Sequence, residues 1–372
     1  MPTLSEVVDL LHSWYPPATA EAWDAVGLVY GDQQAQVRRV MFAVDPTEEV
    51  AQEAVSWGAD LLVVHHPLFL RPVHGFTTAT PKGRTLATLV AGGCALLTAH
   101  TNADQAEGGV SESLALALGL TDLSPIRAAE ATPRDKIVVH VPHDDAPAIR
   151  GALAHAGAGA IGDYDQGSYT STGLGRFRPL PGANPTIGQV GEPEIVSESR
   201  IEAVLPRSLR AQVVRALLAV HPYEEPAYDV VELADPGSAP VGTGRVGQIT
   251  ETTLADFAAM VARVLPATAH GVRVAGDPER LVRRVAVCGG AGDFLLDDLA
   301  GTDIDAYVTS DLRHHPAGEF LEKAGPALLD VAHWAGEWLW LPAVQARITA
   351  ALGDTVETRV STLPTDPWTM RI

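Results

Sequence analysis

The chain has 372 residues, 46% hydrophobic and 19% charged, with a formal net charge of −20. That length supports more than one core, so two domains are expected, and the acidic balance repels nucleic-acid backbone and anionic membrane surfaces. The opening "MPTLSEVVDLL" has no basic segment followed by an apolar one, the weakly polar stretch "TLATLVAGGCALLTA" is short and broken by Gly92 and Gly93, and Cys94 and Cys288 stand far apart in β-like runs, so no membrane span and a cytoplasmic protein with buried free thiols are expected.

Thr3 and Glu6 make a capping-box signature, and Leu4, Val7, Val8, Leu11 and Tyr15 recur at helical spacing until Pro16-Pro17 stops the helix. "RVMFAVD" predicts a strand, "TEEVAQEAVSWG" a helix, and "LLVV" a strand that ends at His65-His66. "CALLTA" predicts another strand, leading into the polar loop "HTNADQAEGG" and a helix at "VSESLALALG". Strands alternating with helices argue for an α/β layer.

The middle reads differently. "KIVVHVP" predicts a strand and "APAIRGALAHAG" a helix; Gly-rich β-like segments run from Gly157 to Phe177; "SRIEAVLP", "SLRAQVVRALLAV" and "AYDVVEL" then predict strand, helix and strand. This β-α-β-β-α-β order is the ferredoxin-like pattern. It is flanked by "SPIRAAEATPRD" and "DPGSAPVGTG", both linker-like. The expected organisation is α/β residues 1–130, a ferredoxin-like α+β insert at 131–240, and α/β residues 241–372. The two α/β segments echo one another: "VRRVMFAVD" at Val37 resembles "VRRVAVCGG" at Val282, and both segments reach a His-His-Pro, at His65-His66-Pro67 and His314-His315-Pro316. Two related halves facing one another would bring their strand ends together, where ligands of open α/β sheets collect.

No G-x-S-x-G elbow, Walker A loop or H-E-x-x-H occurs. "GTGRVG", Gly242 to Gly247, follows a Pro/Gly linker and not a strand, so it reads as a turn re-entering the main domain. The arginines of "PERLVRRV" read as a solvated strand entry. What remains is a scattered set of metal-type ligands. Adjacent side chains on an extended segment point opposite ways, so His65 and His66 suit two metals better than one. "HTNAD" places His100 and Asp104 just after a strand. "DVAHWAGEWLW" places His333 and Glu337 four apart at the start of an apolar helix, on one helix face. Alone, each is an ordinary core histidine, turn former or surface ion pair. Together, at successive strand ends, imidazoles and carboxylates suit zinc, iron, manganese or nickel, with Glu337 the natural bridge between two ions.

"WDAVGLVYGD", "DLLVVHHPLF", "HTNADQAEGGVSESLALALGL", "HPYEEPAYDV" and "DAYVTSDLRHHPAGEFLEKAGPALLDVAHWAGE" together resemble the dinuclear metal-centre proteins named GTP cyclohydrolase 1 type 2 homologues, the Nif-three-like family. The resemblance covers nearly the whole chain. It implies two divalent transition ions (zinc, iron or manganese) on His65, His66, Asp104, His333 and Glu337, with His100 beside them as the best candidate for a catalytic residue. It also implies an insert resembling the signalling protein PII and the copper-tolerance protein CutA, and a homohexameric ring, a trimer of dimers. The family's usual Gly before the late His is Ala332 here, and its "TGD" is "TSD" ending at Asp311; neither removes a ligand. Two functions follow as expectations: a metal-dependent hydrolase acting through a metal-bound hydroxide on a nucleotide, phosphoester or other small molecule, or a ring-shaped regulatory scaffold with structural or sensory metals and an effector-binding insert.

Overall fold

The computed structural model describes residues 1–129, 133–162, 164–234, 241–323 and 325–372. Its backbone divides into two compact units, Met1–Ala129 with Ala239–Ile372, and Glu130–Ser238. The linker-like readings of "SPIRAAEATPRD" and "DPGSAPVGTG" fall in part on 130–132 and 235–240, outside the described residues. The parts beside them are not free linker: Arg127–Ala128 pairs antiparallel with Gly242–Thr243, and Ala129 N–H donates to the Val241 carbonyl at 2.9 Å.

The first unit is mixed α/β with two main sheets. One has the strand order Gly27–Tyr30, Ala95–Thr98, Leu61–Val64, Arg39–Ala43, Glu357–Val360; all neighbours are parallel except the first pair. The strands "LLVV" and "ALLT" are buried at every residue, as expected of parallel strands covered on both faces. The second sheet runs Val272–Ala275, Ala327–Val331, Ala306–Ser310, Leu281–Ala291, Arg245–Thr253, Thr121–Ser124, with the second, third and fourth strands parallel. The inner faces of both sheets share one core. Val40, Phe42, Leu61, Val63 and Leu97 belong to the same buried cluster as Val285, Val287, Val308 and Leu329, along with Trp340 and Val344 of the helix Trp340–Leu352. The opening helix, Leu4–Trp14, lays Leu4, Val7, Val8 and Leu11 into that core and carries the full capping box at Thr3 and Glu6.

The segment read as a polar loop, "HTNADQAEGG", contains a short helix, Thr101–Gln105. Its local cause is side-chain bonding that composition does not reveal. Asp24 accepts from Thr101 N–H and from Thr101 Oγ1–H, and Asn102 Oδ1 accepts from His100 N–H. The reading of "GTGRVG" as a re-entry turn agrees with Gly244 at φ +65, followed directly by the strand from Arg245. The "PERLVRRV" arginines are surface-paired, Arg283 with Glu251 and Arg284 with Asp303.

The second unit has one antiparallel four-stranded sheet, in the order Tyr228–Glu232, Arg134–Pro142, Glu194–Pro206, Tyr169–Phe177. The helices Ala146–His155 and Arg210–Val220 pack on one face of it, against Ile137, Val139, Ile201 and Leu205. Among the described residues no helix is long and apolar enough to cross a membrane.

Arg245, 1% exposed, ties the first unit together across 140 residues of sequence. Its guanidinium donates to the carbonyls of Gly242 (2.7 Å), Gly244 (2.8 Å) and Ala106 (2.8 Å) and to Glu112 at 3.3 Å. Burial works against its charge, and Glu112 counters it. Arg245→Met would strand those carbonyls and the Glu112 carboxylate. It should therefore cost about 3–5 kcal/mol, read as a fall in the denaturant midpoint and the melting temperature.

Candidate metal centre

The site forms where the carboxyl ends of parallel strands from both sheets meet. Three adjacent strands of the first sheet run out into Asp45, into His65 and His66, and into His100; two of the second run out into Asp311 and His333. Glu337 follows His333 by one helical turn in the helix His333–Trp338. These ends are where backbone groups and side chains leave the ladder and become available to a ligand.

Glu337 is the hub. It is 2% exposed. Its Oε1 lies 2.8 Å from His333 Nε2 and 3.4 Å from His65 Nε2, and its Oε2 lies 3.1 Å from His66 Nε2. Asp104 joins from the short helix, with Oδ1 3.5 Å from His65 Nε2. The rings of His65 and His66 do not diverge as an extended segment would require. The backbone bends at these two residues, and both rings face Glu337, their centroids 5.0 Å apart.

Every imidazole in the cluster is held from behind. His65 Nδ1 donates to the Ala99 carbonyl at 2.9 Å, His66 Nδ1 to Asp45 at 2.7 Å, His100 Nδ1 to Asp24 at 2.8 Å, and His333 Nδ1 to Asp311 at 2.6 Å. Each of these partners is an acceptor, so each Nδ1 carries the hydrogen and each Nε2 is left for the site. An outer acceptor on the second ring nitrogen is the usual support of a metal-ligating histidine, fixing tautomer and orientation. Trp340, fully buried, backs His65 at 5.6 Å between ring centroids, and its indole N–H donates to Tyr15 Oη at 3.1 Å.

Two overlapping groups of ligand atoms, each within 4.8 Å of one another, can hold a cation: His65, His66 and His100, and His66, His333 and Glu337. Asp104 lies outside both groups but beside His65. The second His-His-Pro does not take part; His314 and His315 begin the exposed helix His314–Glu322.

The sequence model of the family Duf34/NIF3 (NGG1p interacting factor 3) matches residues 2–367. This chain belongs to the DUF34/NIF3 family. It is 47% identical over 373 residues to a Mycobacterium tuberculosis protein named GTP cyclohydrolase 1 type 2 homolog, covering 99% of this chain and 97% of the relative. A Bacillus subtilis protein of the same name is 36% identical, covering 98% and 97%. Among solved structures, a Bacillus cereus protein related to NIF3 superposes with a TM-score of 0.76 at 36% identity, covering 100% of this chain and 99% of that one.

The residues of this NIF3-family centre fit a metal better than they fit one another. His65 Nε2, Asp104 Oδ1 and Glu337 Oε2 are buried with no hydrogen-bond partner among the described residues, and buried polar atoms are rarely left so. Gly290, at φ +68, keeps the centre open: a Cβ there would stand 2.5 Å from Glu337 Oε1 and 3.2 Å from His333 Nε2. Burial pushes the Asp104 carboxyl up to about 6 and the His100 ring down to about 4. Burial also opposes charge on His333, but Glu337 and Asp311 outweigh it and hold that ring at about 10. Glu337 would be raised by burial; the facing His66, His333 and His65 rings instead hold it well below the usual carboxylate range. A cation entering here displaces ring protons, so binding releases protons.

Asp24, Asp45, Asp311 and Gly290 escape a reading of ligand types, although Asp45 and Asp311 each sit just past a strand end. Asp45→Ala removes the acceptor behind His66 while keeping every ligand. It should weaken divalent-metal affinity about 10–100-fold, measured by competition with a chelating dye, with little change in the melting temperature of the chelated protein.

Proposed function

We propose that this chain is a metal-dependent hydrolase with a dinuclear centre, held by His65, His66, Asp104, His333 and Glu337, with Glu337 bridging. The observation that carries this reading is the set of four imidazoles, each tied at Nδ1 to an outer acceptor and turned with Nε2 toward the site. The two overlapping ligand groups that share His66 support two ions over one. When bound, divalent transition ions of the zinc, iron or manganese kind supply Lewis acidity at a substrate oxygen and acidify a water toward neutral pH.

The chain's own residues do the rest. Asp24 fixes the His100 tautomer and leaves its Nε2 turned to the site as an acceptor; burial and the neighbouring His65 ring hold it near 4, so it is neutral at pH 7. Trp23, 58% exposed, stands edge-on to His100 at 5.9 Å and offers a wall for a substrate. The side chains of Asp104, His66 and His333 keep 24%, 24% and 32% exposure. A sealed coordination shell would favour a purely structural role; this open side favours access by substrate. The name carried by the relatives points to a purine nucleotide, and a phosphoester suits the same centre.

The same reading covers the architecture. Residues 1–130 and 241–372 form a discontinuous metal domain of two related halves, supported by a run of parallel strands in each main sheet, four in the first and three in the second, with an antiparallel edge strand beside each run. Residues 131–240 are a ferredoxin-like insert, supported by a sheet order in which the fourth, first, third and second strands of the unit are neighbours. Family membership supports a hexameric ring, and the buried free thiols of Cys94 and Cys288 support the cytoplasm.

Glu337→Gln keeps the size of the bridge but removes its charge. Metal content should fall from about two ions per chain toward one or none, and turnover on the best substrate from a nucleotide and phosphoester screen should fall by orders of magnitude. Unchanged metal content removes Glu337 from the site, whereas lost metal with unchanged turnover removes the two-metal mechanism. A chain in which 131–240 is replaced by a short Gly/Ser linker should stay folded and keep its metal, since Ala129 and Val241 already lie side by side. Metal analysis of that protein checks the domain boundaries.

A further inference from the structure

Two sequence segments, "GLGRFRPLPGANPTIG" and "HPYEEPAYDV", have no part in the metal centre. In the second unit they line one cavity of about 570 Å³, on the face of the sheet that carries no helix. Alternation along the strands sets its floor. Ile137, Val139, Ile201 and Ala203 turn toward the helices, so Glu198 and Arg200 turn the other way, with Glu198 opposite Gly173.

Glu198 is 8% exposed and lines this cavity. Its Oε1 accepts from Tyr223 Oη at 3.2 Å, and its Oε2 has no partner among the described residues. No Lys, Arg or His described here pairs with it. A carboxylate that opens on a cavity with a single neutral donor is free to take N–H donors or positive charge from a ligand. The surroundings are built to keep it in place. His221 accepts from Tyr223 N–H through Nδ1 (3.1 Å) and donates from Nε2 to the His140 carbonyl (3.0 Å), which fixes the turn that carries Tyr223. A Cβ at Gly175 would stand 2.1 Å from Glu198 Oε2, so glycine leaves the carboxylate its room; a Cβ at Gly173 would meet nothing within 4 Å, since the cavity lies above it. Phe177 packs against Tyr223 at 5.9 Å, giving aromatic surface next to the acid. Arg200 is engaged by Glu202, which leaves Arg178, just past the strand, as an exposed cation at the rim.

We infer that this cavity is a ligand site for a small molecule with a planar guanidine-type head and an anionic group. The head's two parallel N–H donors would meet Glu198, in the bidentate geometry that carboxylates favour. Its flat face would rest on Phe177 and Tyr223, and the anionic group would reach Arg178. The volume is in the range of small-molecule sites. Two sources present this chemistry: a guanine nucleotide, through its ring N–H and 2-amino group, and free arginine, through its guanidinium and α-carboxylate. Adenine sets a ring lone pair against the carboxylate and does not fit.

The test is calorimetric titration of the full chain in EDTA, which separates this site from the metal centre. The probes are GMP and L-arginine, with IMP (no 2-amino group) and L-citrulline (a neutral urea) as their controls. GMP or arginine should bind at least tenfold more tightly than its control. Glu198→Gln should weaken that binding about 10–100-fold, the size expected for a charge-assisted hydrogen-bond pair. Gly173→Val, which projects into open space, should block binding while leaving the melting curve unchanged; it decides the matter if Glu198→Gln does not fold. GMP binding identifies a nucleotide site and arginine binding an amino-acid site. Binding of neither, or binding that Glu198→Gln leaves unchanged, overturns the inference.

Discussion

The buried carboxylate of Glu337 is the constraint on which the first unit depends. An ionised side chain removed from water is tolerated only where matched charge or coordination surrounds it. Here three imidazole nitrogens lie within 3.4 Å of its two oxygens. Those imidazoles come from two different sheets, so the carboxylate cannot be satisfied unless the strand ends of both sheets arrive together. The shared core makes that arrival favourable, because the aliphatic faces of both sheets lose their contact with water only when stacked on the same helices.

The rigidity of the site follows from how it is backed. Asn102 Nδ2 donates to the Tyr15 carbonyl, Tyr15 Oη donates to the Gly108 carbonyl, and Trp340 donates to Tyr15 Oη while its ring lies against His65. The opening helix, the His100 segment and the late helix are thereby bound in one hydrogen-bonded chain. Arg245 closes the same region from the other side by taking up the Ala106 carbonyl, two residues beyond Asp104. Ligands mounted on this frame do not need to be ordered at the moment of binding, which lowers the entropic cost of capturing an ion.

Much of this was legible in the sequence. Histidines and carboxylates at the ends of aliphatic runs marked His65, His66, His100, Asp104, His333 and Glu337 as one candidate set, and the fold brings those six side chains together. The order of predicted elements announced the sheet-and-helix layout of both units. What stayed hidden is tertiary. Asp24 lies 76 residues from His100 and Asp45 lies 21 from His66, and no local period links an acceptor to the ring it holds. The bend that turns His65 and His66 to the same side violates the alternation of a straight strand, and the short helix at Thr101 depends on an Asp24 carboxylate brought in from another segment. Nothing in the local sequence marks Glu198 or Arg245 for burial; the backbone alone places them inside.

A plain ion-pair network is the competing account of the cluster, and like-charge crowding and orphaned buried atoms weigh against it. Glu337 faces His65, His66 and His333, all three with raised affinity for a proton. Fully protonated, those rings would bring three positive charges beside Glu337, with Asp104, Asp45 and Asp311 also in contact with them. Such a network would leave like charges facing one another at ring separations near 5 Å. It would also leave His65 Nε2 and Asp104 Oδ1 without hydrogen bonds. A bound cation would answer both problems, taking the place of the ring protons and using the Nε2 lone pairs that the outer acceptors have prepared.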